Sequence, residues 1–141
     1  MCRREFSVRV VSLVVLIFIV NYLAMKFYWY SSIWWLDMLM HFFGGFWLGL
    51  TLIWFSLPKD ISLTKQLFEK QNFKLILKIL LGVLIVGVLW EIFEVIVNNN
   101  TLRLSFNLLD TLSDICFDIT GGSFAILYFL KRVMVKAKNN I

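Results

Sequence analysis

The sequence predicts an all-α integral membrane protein, a bundle of four transmembrane helices with both termini in the cytoplasm. Of its 141 residues, 60% are hydrophobic and 16% are charged, whereas a soluble domain is about half apolar and about a quarter charged. Four apolar stretches are long enough to cross a bilayer, which takes about 20 helical residues. The length leaves little room for a soluble domain, so we expect residues 1–141 to form a single membrane domain.

Charged residues, asparagines and one proline delimit the four predicted helices. The first is expected over about 10–30, behind three arginines, and no small-residue cleavage site follows it, so we interpret it as a retained helix. The second, over about 33–57, ends at Pro58 because proline cannot continue a helix. The third, over about 79–97, ends in three asparagines, and the fourth, over about 108–130, ends in a lysine–arginine pair.

The distribution of lysine and arginine predicts the orientation. If the N-terminus is inside, twelve of the fourteen basic residues fall on the inner side, and only Lys26 and Arg103 fall outside. The positive-inside rule therefore places both termini in the cytoplasm. The lysine-bearing stretch 59–78 between the second and third helices would lie on the same side, where it could form a short helix on the membrane interface.

Six of the nine carboxylates and the only histidine lie in or beside these apolar segments, where a charge is costly. Spacings of three and four residues put each set on one side of its helix. On the predicted topology all seven groups fall in the outer half of the membrane at overlapping depths. They are Asp37 and His41 on the second helix, Glu91 and Glu94 on the third, and Asp110, Asp114 and Asp118 on the fourth.

Such a cluster needs protons or cations, because one aspartate at the centre of a membrane helix already costs about 2.5–3.5 kcal/mol. Carboxylate oxygens with one imidazole suit a divalent metal ion. Helical bundles build such sites from inward-facing acids and histidines. We therefore expect a divalent metal cofactor whose ligands are His41, Glu91, Glu94, Asp114 and Asp118.

A metal in this position predicts a hydrolase or transferase that acts on a membrane lipid or lipid-linked envelope substrate at the outer leaflet. The candidate acid–base groups are Glu91, Glu94 and Asp114. The candidate substrate-binding groups, at the outer opening of the cluster, are Asp37, Asp110 and Arg103. Arg103 is expected to bind a phosphate of the substrate. The net charge of +5 reflects cytoplasmic loops and not nucleic-acid binding. A homodimer is compatible with so small a chain.

Other interpretations stay open at this point. The alternative function is a non-enzymatic cation- or lipid-binding envelope or antibiotic-resistance factor, or a proton-coupled carrier. Asp37 and Asp110 could be helix N-caps, and His41 could be an ordinary hydrogen-bonded core histidine. Protonated acids could also join the helices through hydrogen bonds worth about 0.6–2 kcal/mol each.

The same residues resemble a known family. The chain shows Asp37-x-x-x-His41-Phe42, Glu91-x-x-Glu94, and Asp110-Thr111-x-x-Asp114-x-x-x-Asp118 before Gly121-Gly122. This pattern looks like the YjdF-type bacterial inner-membrane proteins and is more distantly similar to the VanZ-like family associated with teicoplanin resistance. The VanZ-like pattern has Lys, Gln and Asn where this chain has Met38, Glu94 and Asp118, and the extra acids favour cation binding. The resemblance implies a multi-pass protein of the bacterial cytoplasmic (inner) membrane and no particular reaction.

Overall fold

Five helices make up the described part of this computed structural model, and four of them are long and apolar enough to cross a membrane. The backbone is described over residues 3–56, 61–101 and 107–138, and the side chains over 4–56, 73–97 and 107–132. No strand occurs in these ranges, which confirms the predicted all-α membrane bundle. The helices are α1 (Arg3–Lys26), α2 (Trp29–Ser32), α3 (Leu36–Ser56), α4 (Ile61–Thr101) and α5 (Leu108–Lys138).

The first span begins and ends earlier than the predicted 10–30. It runs over Arg4–Lys26, because the chain turns at Tyr28, whose φ of 57° lies in the left-handed region that an α-helix cannot pass through. The single turn of α2 follows this bend and leads into α3. The cytoplasmic placement of both termini remains a prediction.

Helix α4 is longer than the predicted third helix. It has 41 residues, and no glycine or proline interrupts the sequence between Ile61 and Leu81, so the stretch expected to form a separate interfacial helix continues directly into the span Phe73–Val97. At 1.5 Å per residue α4 is about 60 Å long, roughly twice the thickness of a hydrocarbon core. The predicted helix stop at Pro58 lies outside the described residues.

Helices α3 and α5 form the closest pair in the bundle. A Cβ atom added to Gly45 would overlap the backbone of Asp118, and one added to Gly121 would overlap the carbonyl of Phe42. Gly49 faces Gly122 in the same seam, where an added Cβ would lie 3.1 Å from the Gly122 Cα. Small residues let membrane helices approach until their backbones touch, and this seam fixes the register of the two helices that carry most of the cluster.

The end of the bundle nearer the N-terminus holds an apolar core. Its buried members are Phe6, Leu50, Ile53, Ile79, Ala125, Ile126 and Phe129. Helix α1 joins this core through an edge-to-face contact between Phe6 and Phe129, whose ring centroids are 5.9 Å apart. Trp47 Nε1 ties α3 to α1 by donating to the Val10 carbonyl at 3.1 Å. This end of the protein is therefore filled by packed side chains.

Candidate metal centre

The ionisable side chains of three helices gather around His41, at the end of the bundle opposite the apolar core. Four of them are more than nine-tenths buried: His41 is 7% exposed, Glu91 6%, Asp114 2% and Asp118 7%. Helix α3 supplies the histidine, α4 the glutamate and α5 the two aspartates. The structure thus brings together the groups that the sequence placed at one depth.

The imidazole of His41 lies between acids on both of its sides. Its Nε2 is 3.8 Å from Glu91 Oε1 and 3.9 Å from Oδ1 of Asp37, one helical turn earlier on α3. Its Nδ1 is 3.4 Å from Asp118 Oδ2. One ring nitrogen therefore faces α5, and the other faces a space bordered by Glu91 and Asp37.

Asp118 lies behind the ring because α4 has a glycine beside it. A Cβ atom added to Gly87 would lie 2.6 Å from Asp118 Oδ2. A carboxylate that accepts a hydrogen bond from Nδ1–H fixes the tautomer in which Nε2 has a free lone pair. Asp118 was predicted to be a direct metal ligand; its position suits a group that orients His41.

Two sets of side chains could each hold a metal ion, since the ligand atoms within a set lie within 4.8 Å of one another. The first set consists of Asp37, His41 and Asp114. The second consists of His41, Glu91 and Glu94. Only the histidine is common to both, and Asp118 belongs to neither.

Two buried carboxylate oxygens in the centre have no hydrogen-bond partner. They are Glu91 Oε1 and Asp114 Oδ1. Thr111 hydrogen-bonds to the Glu91 carboxylate, so the bare oxygen is the one nearest His41 Nε2. An unsatisfied buried acceptor costs about 1–3 kcal/mol, and more when it is charged, so each of these two oxygens would be stabilised by a hydrogen-bond donor or a cation.

The mouth of the centre is polar and partly open. The Asp37 side chain is 40% exposed, and Asp110 is exposed. Tyr30, on the turn between α1 and α3, donates its hydroxyl to Asn21 Oδ1 at 2.7 Å. Burial, together with the charges of Asp37 and Glu94, raises the pKa of Tyr30 to about 12, so its phenol stays a neutral donor at physiological pH.

Three residues of the site were missed by sequence reasoning. Tyr30 lies in the aromatic run Tyr28-Trp29-Tyr30, and nothing in the sequence signals that its hydroxyl turns towards Asn21. Gly87 lies four residues before Glu91, on the same side of the helix, and that spacing was the available signal. Thr111 follows Asp110 directly, where a hydroxyl in a first helical turn is unremarkable by itself.

Positive charge near the centre is scarce. Within residues 4–56, 73–97 and 107–132, His41 is the only basic group that lies within 4.0 Å of a cluster carboxylate. Lys26 places its ammonium 5.9 Å from the ring centroid of its neighbour Phe27. Arg103, the predicted phosphate ligand, lies outside the described residues. The acids therefore outnumber the available cations.

Comparison with known proteins gives a family and no relative of known activity. The family model described as "Predicted membrane protein (DUF2238)" matches residues 2–134. The YjdF-type resemblance agrees with this match, because the YjdF-type proteins are that family, but the match gives no support to the VanZ-like resemblance. No curated protein and no solved structure matches the chain.

Proposed function

The chain belongs to the DUF2238 family of predicted membrane proteins, and we propose that its His41 cluster is a divalent-metal centre acting on a lipid or lipid-linked envelope substrate. The observation that carries this proposal is the pair of bare, buried oxygens Glu91 Oε1 and Asp114 Oδ1. A bound cation gives such oxygens a partner and offsets the negative charge around them. Both residues are among the predicted metal ligands.

Protonation is the competing way to neutralise the acids. A proton on Glu91 or Asp114 removes one negative charge and turns that carboxyl group into a hydrogen-bond donor. Carboxylates and one imidazole are the donor set that Mn²⁺, Zn²⁺ and Fe²⁺ accept. We favour a metal because the two bare oxygens belong to residues of the two ligand sets, in which the ligand atoms lie within 4.8 Å of one another.

The surroundings of the mouth favour a substrate with a polar head and apolar chains. Tyr28, Trp34 and Trp35 are exposed at this end of the bundle, and exposed Tyr and Trp are typical of the membrane–water interface. Asp37 and Asp110 are accessible, while His41 lies about one turn deeper. A lipid head group at the interface could reach the centre while its chains stay in the bilayer.

The proposed division of roles follows from burial. Asp114 and Glu91 hold the metal with His41, and Asp118 keeps the His41 ring in place from behind. Glu94 belongs to the second ligand set and is only partly buried, so its carboxylate oxygen that does not bind the metal is best placed to take a proton from an incoming water. The metal, when bound, supplies Lewis acidity and a more acidic water. Arg103 keeps its predicted role towards a phosphate.

A carrier is less well supported, because the other end of α3 and α5 is apolar. Beyond Asp118, the buried side chains of the two helices include Ile53, Ala125 and Phe129. The hydroxyls of Thr51, Thr120 and Ser123 each donate to a carbonyl of their own helix. The described residues therefore offer no polar route from the centre to the opposite end.

Metal analysis of the detergent-purified full chain tests the proposal. The protein is stripped with a chelator, dialysed against Mn²⁺ or Zn²⁺, and analysed for bound metal. We expect bound metal in the unmodified protein and less of it in His41→Ala. Asp110→Asn is the matched control, since it removes an exposed carboxylate that belongs to neither ligand set.

A folded, metal-free wild type whose thermal stability is unchanged in His41→Ala would rule out the metal centre. If metal is bound, turnover of lipid phosphates or lipid-linked sugars by loaded and stripped protein separates an enzyme from a binding protein. Membrane fractionation of the tagged chain in a bacterial host tests the proposed inner-membrane location. Cross-linking in intact membranes tests the proposed homodimer.

A further inference from the structure

We propose that the centre holds two divalent ions, one bound by Asp37 and Asp114 and the other by Glu91 and Glu94. This inference rests on the proposed metal-binding function and extends it by fixing the number of ions and the residues that divide them. The four carboxylates come from all three helices that meet at His41. A two-ion centre makes the site a stronger trap for an oxyanion than one ion would.

The first argument is the separation of the two ligand sets. Within each set the ligand atoms lie within 4.8 Å of one another, but Asp114 does not join Glu91 and Glu94 in a common set. One ion in the present arrangement therefore reaches one set and not the other. Both sets share the same imidazole, because Asp37 of the first set and Glu91 of the second both lie near His41 Nε2.

The second argument is the single free nitrogen of His41. Nδ1 faces Asp118 Oδ2 at 3.4 Å, so only Nε2 is left for a metal, and one lone pair binds one ion. Nε2 is nearly equidistant from Asp37 Oδ1 and Glu91 Oε1, at 3.9 and 3.8 Å. Whichever ion takes the imidazole, the other is bound by carboxylates and water, as Mn²⁺ and Mg²⁺ commonly are.

The third argument is that each set has its own bare oxygen. Asp114 Oδ1 belongs to the first set and Glu91 Oε1 to the second. Both side chains are more than nine-tenths buried. A single ion satisfies one of these atoms and leaves the other without a partner.

Charge leads to the same number of ions. Ionised, the four carboxylates of the two sets carry four negative charges, and the carboxylate of Asp118 beside His41 Nδ1 adds to them. One divalent ion offsets less than half of this charge, whereas two offset most of it. Since buried uncompensated charge is strongly unfavourable in a membrane, the second ion brings the centre close to neutrality. Helical bundles hold paired metal ions with inward-facing carboxylates and histidines in the same manner.

Equilibrium dialysis with Mn²⁺ provides the test. The detergent-purified full chain is stripped, saturated with Mn²⁺, and analysed for metal per chain. We expect two Mn²⁺ per chain in the unmodified protein. Asp114→Asn and Glu94→Gln remove a ligand from different sets, so each variant is expected to bind one Mn²⁺ per chain. Asp110→Asn, with the same change on an exposed carboxylate of α5, is expected to keep two.

Electron paramagnetic resonance of the saturated wild type is a second measurement that does not depend on any variant folding. Two ions in adjacent sets give the signal of a coupled Mn²⁺ pair, whereas one ion gives the six-line signal of isolated Mn²⁺. One Mn²⁺ per chain with an isolated signal overturns the two-ion inference and leaves the proposed function intact. No bound Mn²⁺ in folded protein overturns the proposed function itself.

Discussion

The two ends of the α3–α5 pair are built from the same close backbone contact but hold opposite chemistry. At one end the helices enclose His41 and Asp118, and at the other they enclose Ile53 and Ala125. In a bilayer, burying an apolar side chain gains little over leaving it in lipid, so the apolar end depends on tight packing. The polar end depends instead on keeping charged groups out of hydrocarbon. The same contact between α3 and α5 thus supports a packed apolar core at one end and the cluster of ionisable side chains at the other.

One of the two largest effects should come from the seam that both ends share. Gly121→Ala places a Cβ against the Phe42 carbonyl, whereas Gly44→Ala meets no atom within 4 Å. Because backbone cannot yield as a side chain can, we expect Gly121→Ala to lower the free energy of unfolding by about 2–3 kcal/mol. The matched Gly44→Ala should be neutral or raise it by about 0.5–1 kcal/mol. Equilibrium unfolding in mixed micelles measures the free energy of unfolding of both variants. Equal values for the two would contradict the close backbone contact between α3 and α5.

The next effect separates the two ends. Ile53 is buried in the apolar core with 1% of its surface exposed. We expect Ile53→Ala to lower the free energy of unfolding by about 2–4 kcal/mol through the cavity that it leaves, with metal affinity unchanged. The measurement is unfolding in mixed micelles combined with a metal titration of the folded fraction. A parallel loss of affinity would show that the ends are not independent.

Asp118→Asn tests the polar end alone. Losing the carboxylate behind a ligating histidine typically costs 10- to 100-fold in metal affinity. We expect a loss of that size with the number of bound ions unchanged, because Asp118 is in neither ligand set. Competition with a chelator measures the affinity. If Asp118→Asn instead binds one ion fewer, Asp118 is a direct ligand, as the sequence predicted.

A smaller effect is expected from the glycine that makes room for Asp118. An added Cβ on Gly87 meets Asp118 Oδ2 at 2.6 Å, and one on Gly82 meets a methyl carbon of Leu52 at 2.7 Å. In both cases the end of a flexible side chain can move aside. We expect Gly87→Ala to weaken metal binding several-fold, less than Asp118→Asn does, and the matched Gly82→Ala to leave it unchanged. Equal effects would mean that Gly87 has no special relation to the site.

The smallest effect concerns the surface of the apolar end. Arg9 Nη1 donates to the Tyr128 hydroxyl at 2.9 Å, and the Arg132 guanidinium lies 5.4 Å from the centroid of the same ring. Tyr128→Phe removes the hydrogen bond and keeps the ring. We expect a loss of about 0.5–1 kcal/mol in the free energy of unfolding. A loss of more than twice that size would give Arg9 a structural role that its exposure does not suggest.

The sequence predicted the helical class and the grouping of the acids, because both depend on periodicity. Spacings of three and four residues put Glu91 with Glu94 and Asp114 with Asp118 on single faces. The overlap in depth followed from where each residue stands in its apolar segment. These are one-dimensional properties, so they can be obtained without a tertiary model.

The division of roles within the site could not be predicted in this way. Asp114 and Asp118 are equivalent in a helical pattern, yet one belongs to a ligand set and the other faces the far side of the imidazole. That difference depends on the rotation of α5 against α3, which the contact of Gly45 with the Asp118 backbone sets. The extent of α4 was also not predictable, since the lysines in its first half suggested a separate short helix on the membrane interface, although nothing in the sequence there breaks a helix.

The shallow position of His41 has an electrical consequence. His41 is five residues into the span Leu36–Ser56, a depth of about 7.5 Å in a hydrocarbon core of about 30 Å. A divalent ion that crosses the whole membrane field exchanges about 4.6 kcal/mol per 100 mV. An ion that stops at His41 crosses roughly a quarter of that field, which corresponds to about 1 kcal/mol per 100 mV. The affinity for an ion that enters from the nearer face should therefore change about fivefold per 100 mV in energized vesicles, whereas an ion from the far face would cross about three quarters of the field and give a much larger change of opposite sign.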